Sequence, residues 1–245
     1  MVPRGFRTGR TNEAARHAWV RGELAALPAG TRILDAGCGK QPYRDACAHL
    51  RYVAQDFGGY DPTSGEGGLH PEAFPYGTLD HRCDITAIPE PDGAFGAILC
   101  TEVIEHVADP IAAVRELARL LAPDGTLLLT APFLSLTHFA PYHYCTGFNR
   151  SFYETHLDRF GCRIEACEPN GNFFELVAQE LWRLPRVAQR YAGPLAFVAT
   201  LPATAVGVPL CAIASALDRG SAELGCYGLH VKATKIAGGP TAKER

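Results

Sequence analysis

Glu102, Glu105 and His106 stand close together in the run Glu102-Val-Ile-Glu105-His106. On an α-helix, positions i, i+3 and i+4 share one face. Two carboxylates and an imidazole on that face would form half of a divalent-metal site. The loop over 131–149 adds His138, Tyr142, His143 and Tyr144. Of these, His138, His143 and Tyr142 are the candidate catalytic groups, able to complete a metal shell or to act as a general base. A plainer reading stands beside this one. In it the loop histidines sit on the surface.

A second set of residues suits a nucleoside. Asp35-Ala36-Gly37-Cys38-Gly39 ends an apolar run, and its glycines let the backbone turn tightly and approach a ligand. Position 42 is Pro and no Gly-Lys-Ser/Thr follows, so this is neither the Gly-x-Gly-x-x-Gly fingerprint nor a P-loop. A simple strand-to-helix turn would also explain it. Asp56 closes the next apolar run, where an acid can accept from ribose hydroxyls. Asp84-Ile85 closes a third, where the Asp could hold an adenine amino group and the Ile one ring face. Turn-capping is the alternative for both acids.

These residues need a frame that brings strand ends together. Pattern and turn chemistry predict helices over 11–27, 43–50, 110–121 and 151–160, with another starting near 173 and carrying Trp182. Strands are expected over 31–36, 52–56, 95–100, 126–130, 163–167 and 227–234, with a short one ending at 83–84. Pro123-Asp124-Gly125 reads as a turn before the fifth strand. Strands alternating with helices from 31 to 130 indicate an α/β, doubly wound parallel sheet. Ligands of such sheets bind at the carboxyl ends of the strands, near the switch in strand order. The Gly- and Pro-rich segment 58–80 is too long for an idle connection and is expected to be a binding loop or lid.

Taken together, Ile33-Leu-Asp-Ala-Gly-Cys-Gly39, Asp56, Asp84-Ile85, Phe95-Gly-Ala-Ile-Leu-Cys-Thr-Glu-Val-Ile-Glu-His-Val107 and Leu120-Leu-Ala-Pro-Asp-Gly-Thr-Leu-Leu-Leu-Thr-Ala-Pro132 resemble the class I S-adenosylmethionine-dependent methyltransferases. The resemblance covers about 12–170 and the final strand. It implies a Rossmann-like, seven-stranded, mostly parallel sheet with an antiparallel last strand. It implies S-adenosylmethionine as cofactor, with Gly37, Cys38 and Gly39 at its methionine part. Asp35 would orient the ammonium through water, Asp56 would take the ribose, and Asp84 and Ile85 the adenine, with Thr101 and Glu102 beside them. Lys40 stands where many members carry a small or polar residue. The Glu102-x-x-Glu105-His106 run is similar to that of the metal-dependent branch, though the same run occurs in relatives without an implied metal. His138 and Pro141-Tyr142 match a recurrent family loop over 132–150. His143 replaces its usual Asp, and Thr146 or Gly147 its usual Arg.

The implied activity is methyl transfer, foremost O-methylation of a small molecule such as a sugar, a lipid-linked compound or a natural-product intermediate. A sulfonium methyl is already electrophilic, so the protein must align an in-line attack and take the hydroxyl proton. Two competitors are a non-methylating reaction in the same pocket and a non-catalytic, membrane-associated binding subunit.

The chain has 245 residues, 47% hydrophobic and 20% charged, which is ordinary globular composition. Its 23 basic and 26 acidic residues give a net charge of −3, so no nucleic-acid partner is expected. Nine scattered cysteines without a Cys-x-x-Cys pair suit a reduced, cytoplasmic chain, and the first residues lack the apolar run of a secretory signal. One methyltransferase domain over 1–245 is expected, with a loop insertion over 58–80 and a helical, apolar insertion over 171–225.

Within that insertion, 195–217 contains no charged side chain. Pro202 and Pro209 are expected to interrupt it, and the chain must return to the sheet for its last strand, so a simple membrane span does not fit. The readings, in order, are a buried helix covering the substrate site, an interfacial element in peripheral contact with a membrane beside Arg183, Arg186 and Arg190, and a homodimer surface.

Overall fold

Apolar side chains fill the first strand, β1 (Arg32–Ala36), where Ile33, Leu34 and Ala36 are fully buried. The computed structural model describes residues 7–62, 68–69 and 74–238. Beside β1 lie β2 (Arg51–Asp56), β3 (His81–Arg82), β4 (Phe95–Thr101), β5 (Leu121–Pro132), β6 (Cys162–Asn170) and β7 (Gly228–Lys235). They form one seven-stranded sheet in the order β3-β2-β1-β4-β5-β7-β6. The β1–β2, β2–β3, β1–β4 and β4–β5 pairs are parallel, and the last strands are antiparallel. The order reverses between β1 and β4, so the switch point falls at the ends of the strands that carry the Gly turn and Glu102.

The described chain falls into two compact units, Ala18–Glu168 with Leu229–Arg245 and Met1–His17 with Pro169–Gly228. In the first unit, the second half of α1 (Asn12–Ala25) buries Val20 and Leu24 against Ile33, Tyr43, Ala97, Leu99 and Leu128. Helix α2 (Pro110–Leu120) starts where Asp109 accepts from the Ala112 amide and Pro110 presets the first turn. Helix α3 (Arg150–Arg159) is capped by Asn149 in the same way.

Three local expectations change. The helix predicted over 43–50 is only a 3₁₀ turn, Asp45–Cys47. Fourteen residues, 37–50, connect the end of β1 to the start of β2. Pro123-Asp124-Gly125 lies inside β5 rather than before it, as an irregularity opposite Phe95 and Ala97 in which Asp124 takes φ 61°. Glu102–His106 is not an α-helix; a 3₁₀ turn covers Ile104–His106 alone.

The second unit is built on a helical hairpin, α4 (Phe173–Ala192) and α5 (Pro194–Ala216). Pro185 lacks an N–H, so the Leu181 carbonyl has no helical donor. Thr204 of α5 donates to that carbonyl from 2.7 Å. Gly207 lets the helices close here, since a Cβ would stand 2.7 Å from a Leu181 methyl. Two expectations for this segment are corrected. Pro202 and Pro209 do not interrupt α5, which runs unbroken through both. Nor is α5 a buried helix: only Thr204 and Val208 are buried, Phe197 is half-buried, and Leu195, Val198, Leu201, Val206, Leu210 and Ile213 are exposed. The reason is that α4 covers one side of it and nothing among the described residues covers the rest.

Candidate functional site

The Gly turn, Asp56, Asp84 and the Glu102 segment meet around one cavity of about 270 Å³ at the carboxyl ends of β1, β2 and β4. Gly37 has φ 72°, and a Cβ there would lie 2.5 Å from a Val103 methyl, so the position demands glycine twice over. Its amide and that of Cys38 both donate to the Gln55 carbonyl at 2.9 Å, which pins the turn onto β2.

Asp56 is buried on the cavity floor. Its two oxygens accept from the Gly39 and Gly58 amides, each at 2.9 Å. Burial nevertheless raises its pKa above the usual carboxylate value, against the lowering by those amides. A carboxylate offers about four lone-pair sites, so both oxygens keep acceptor capacity for a ligand diol. Asp84 lines the same cavity beside Ile85. One of its oxygens caps a turn by accepting from the Thr86 amide and hydroxyl, at 2.8 and 2.7 Å. Asp84 therefore caps a turn and lines the cavity with the same side chain.

Glu102 also lines the cavity, from a left-handed backbone with φ 53°. Such a conformation costs a non-glycine residue roughly 1–2 kcal/mol. Thr130 holds it from both sides: its carbonyl accepts from the Glu102 amide at 2.8 Å, and its hydroxyl donates to Oε1 at 2.9 Å. Strain imposed in this way at a cavity wall marks a group whose placement matters.

Asp35, Cys38 and Thr101 stand behind the lining. Asp35 is 1% exposed and accepts from the Tyr52 hydroxyl at 2.5 Å. Burial pushes its carboxyl up to about 7. Burial likewise raises the Cys38 thiol far above its usual range. Thr101 pairs with Thr130 in the β4–β5 ladder.

The proposed metal set Glu102, Glu105 and His106 does not assemble, because it relied on an α-helical face that the chain does not form. The donor atoms that do converge belong to Glu105, His106 and His138, all within 4.8 Å of one another. One carboxylate and two imidazoles suit a borderline divalent ion. Glu105 is fully buried, with Oε1 3.7 Å from His106 Nε2. The His106 ring meets the Tyr142 carbonyl through Nδ1 at 2.6 Å. Burial, then the neighbouring His138, lower its pKa to about 4.

Tyr142 lines the cavity, while His138 and His143 form a second rank behind His106, with ring centres 4.6 and 5.9 Å from it. His143 is further tied to Ser135, Oγ to Nε2 3.1 Å. Sequence reasoning missed the aromatic wall, which includes Phe57, Tyr60, Phe74, Tyr76 and Phe139. Phe57 meets Tyr142 edge-on at 5.1 Å, and Tyr60 meets Phe139 at 4.7 Å. The signal was present, since four of these rings crowd into 57–76, directly after Asp56. Part of the 58–80 loop expectation, at 63–67 and 70–73, lies outside the described residues. The described part folds back on the site: Leu69 bridges His138, and Gln41 donates to the Thr78 carbonyl at 2.7 Å.

The sequence profile described as "Methyltransferase domain" matches residues 11–180. The chain belongs to the class I S-adenosylmethionine-dependent methyltransferases. This methyltransferase is 37% identical over 118 residues to a ubiquinone biosynthesis O-methyltransferase of Xanthomonas campestris pv. campestris (strain B100), covering 43% of the chain and 44% of that relative. It is 34% identical over 114 residues to the protein of the same name from Paracidovorax citrulli (strain AAC00-1), covering 45% and 46%. The matches thus span less than half the length of these curated relatives. Among solved structures, the [4+2]-cyclase SpnF shares the fold at a TM-score of 0.53 and 19% identity, covering 91% of this chain and 81% of that one. The YcgJ protein of Bacillus subtilis does so at 0.52 and 14%, covering 92% and 99%. At these identities the likeness is one of fold.

Proposed function

We propose that this methyltransferase transfers the methyl group of S-adenosylmethionine to a hydroxyl oxygen of a small molecule. The observation that carries the reading is the convergence of Gly37, Gly39, Asp56, Asp84-Ile85 and Glu102 on one cavity. In this reading Asp56 accepts from both ribose hydroxyls, Asp84 and Ile85 hold the adenine, and Glu102 faces the methionine part. The bond from sulfur to methyl breaks as the bond from methyl to oxygen forms, leaving S-adenosylhomocysteine. The acceptor proton goes to a base at the cavity wall. His106 fits that role by geometry, because Nδ1 is spent on the Tyr142 carbonyl and Nε2 remains as acceptor. His138, His143 and Tyr142 then position it. If a divalent ion is used, Glu105, His106 and His138 hold it, and it would supply Lewis-acid lowering of the acceptor hydroxyl pKa.

The aromatic wall suits an acceptor with a flat or apolar body, in keeping with a lipid-linked or natural-product intermediate; the name of the O-methyltransferase relatives supports this choice. The location we assign is cytoplasmic and peripheral to a membrane. The membrane and a second copy of the chain compete for the same surface, 195–217.

The test is methyl-labelled cofactor offered with candidate hydroxyl acceptors. Label in an O-methyl product supports the reading. Turnover without transferred label points instead to another reaction in the same cavity, and tight S-adenosylhomocysteine binding without any turnover points to a binding subunit. Exhaustive chelation separates the two base schemes: activity lost and restored by added divalent ion requires the metal, and full activity removes it.

A further inference from the structure

We propose that the α4–α5 hairpin docks the enzyme in the plane of an anionic lipid surface, with α5 as the buried face. This deepens the peripheral location proposed above by naming the surface and the way it is held. Leu195 and Leu217 are 86% and 73% exposed, and Val198, Val206, Leu210 and Ile213 about 60% each. At about 100° per residue, the exposed positions of α5 sweep an arc of roughly 200°. No side chain on that arc is charged or able to hydrogen-bond. The mean hydropathy of its most apolar stretch is 1.9, with 11% of that stretch buried.

Three features favour lipid over a second copy of the chain. An arc broader than half the helix is more than one partner helix can cover. Protein interfaces enrich aromatic side chains and surround their core with hydrogen-bonding groups, whereas this arc is Leu, Val, Ile, Pro and Ala. The hairpin end carries cationic and aromatic groups that match a headgroup layer: Arg186, Arg190 and Tyr191 are exposed, and the Arg190 guanidinium lies 5.4 Å from the Tyr191 ring centre. Arg183 is paired with Glu180 at 2.6 Å.

The same observations exclude a span. Tyr227 donates to the Asn170 carbonyl at 3.0 Å, so the segment returns to where it left. If α5 crossed a bilayer, α4 would have to cross back with it. That helix carries Glu175, Glu180, Arg183, Arg186 and Arg190, each costly in hydrocarbon. Pro202 and Pro209 also deprive the Val198 and Ala205 carbonyls of their helical donors. At the depth of the headgroups water can serve those carbonyls; in the bilayer core it cannot.

The experiment is flotation of the full chain with phosphatidylcholine vesicles, with and without phosphatidylglycerol. The expected result is that the chain floats, and does so better with the anionic lipid. Val206→Glu with Leu210→Glu lowers partition about tenfold or more, while S-adenosylhomocysteine affinity by calorimetry stays the same, which separates loss of docking from loss of the cofactor site. Arg186→Gln with Arg190→Gln removes the preference for anionic lipid and leaves the remainder. A chain that fails to float, and sediments as a dimer that the Glu variant dissociates, overturns the proposal in favour of a second copy. Equal flotation of wild type and Glu variant overturns it as well.

Discussion

Asp56 and Leu195 break the usual division of residues in opposite senses. The carboxylate lies in the interior with its two oxygens aimed past the Gly39 and Gly58 amides at a cavity, and the leucine lies almost wholly in solvent. Each carries a cost in the chain by itself: desolvation for the acid, hydrated apolar surface for the leucine. Around the cavity that cost is met by an exact backbone, with glycine where a Cβ has no room and with Thr130 holding Glu102 in a left-handed conformation. Thr204 and Gly207 fix the side of α5 that meets α4, but along its outward face nothing comparable is built. The contrast teaches that a small-molecule site needs fixed geometry and that a surface for a fluid partner needs only composition and exposure.

The sharpest way to break this comparison is pH. Asp35 is raised by burial from its ordinary 3.8 to about 7. A raised carboxyl favours the folded state in its protonated form, so that stability is fully present below the unfolded value and is lost as pH rises through the folded one. Thermal melts from pH 4 to pH 7 and above should therefore show a decline with an upper limit on the order of 4 kcal/mol. Asp35→Asn should flatten it. An unchanged slope in that variant would remove Asp35 from the account. A site that depends on fixed geometry predicts the next result. Gly37→Ala should cost about 3 kcal/mol in stability or cofactor affinity, from the left-handed backbone and the Val103 clash together. Gly30→Ala, also at positive φ but with open space around its Cβ, should cost only about 1 kcal/mol. Equal effects at the two glycines would show that close approach is irrelevant.

Asp56→Ala should weaken S-adenosylhomocysteine binding by about 1–3 kcal/mol, since the ribose loses a charged acceptor; calorimetry checks it. In the hairpin, Thr204→Val should cost about 1–2 kcal/mol in a melt, because it orphans the Leu181 carbonyl that Pro185 already deprives of a partner. The smallest effect belongs to Val206→Glu alone, which should alter stability in vesicle-free solution by no more than about 0.5 kcal/mol. A large loss there would mean that something covers this face.

Much of the cavity could be read along the chain. Gly37, Gly39, Asp56, Asp84, Ile85 and Glu102 all reach it, because strand ends in a doubly wound sheet meet at the switch point. The aromatic wall was harder to foresee, since Tyr60 meets Phe139 and Phe57 meets Tyr142 across two long loops that Leu69 and His138 also bridge. The metal set failed for a local reason. Helical spacing placed Glu102 with Glu105, but a hydrogen bond to Thr130, 28 residues away, holds Glu102 in a backbone that no helix allows.

Periodicity and turn chemistry alone determined the α/β class, the order of most elements and the acids at the strand ends, because those signals are carried by neighbours a few residues apart. Tertiary structure alone decided which of those groups share a cavity, which imidazole reaches its wall and which side of α5 stays bare. Those outcomes depend on side chains far apart in the chain that must exclude or accept one another, and hydropathy along a sequence carries no record of what will cover a helix.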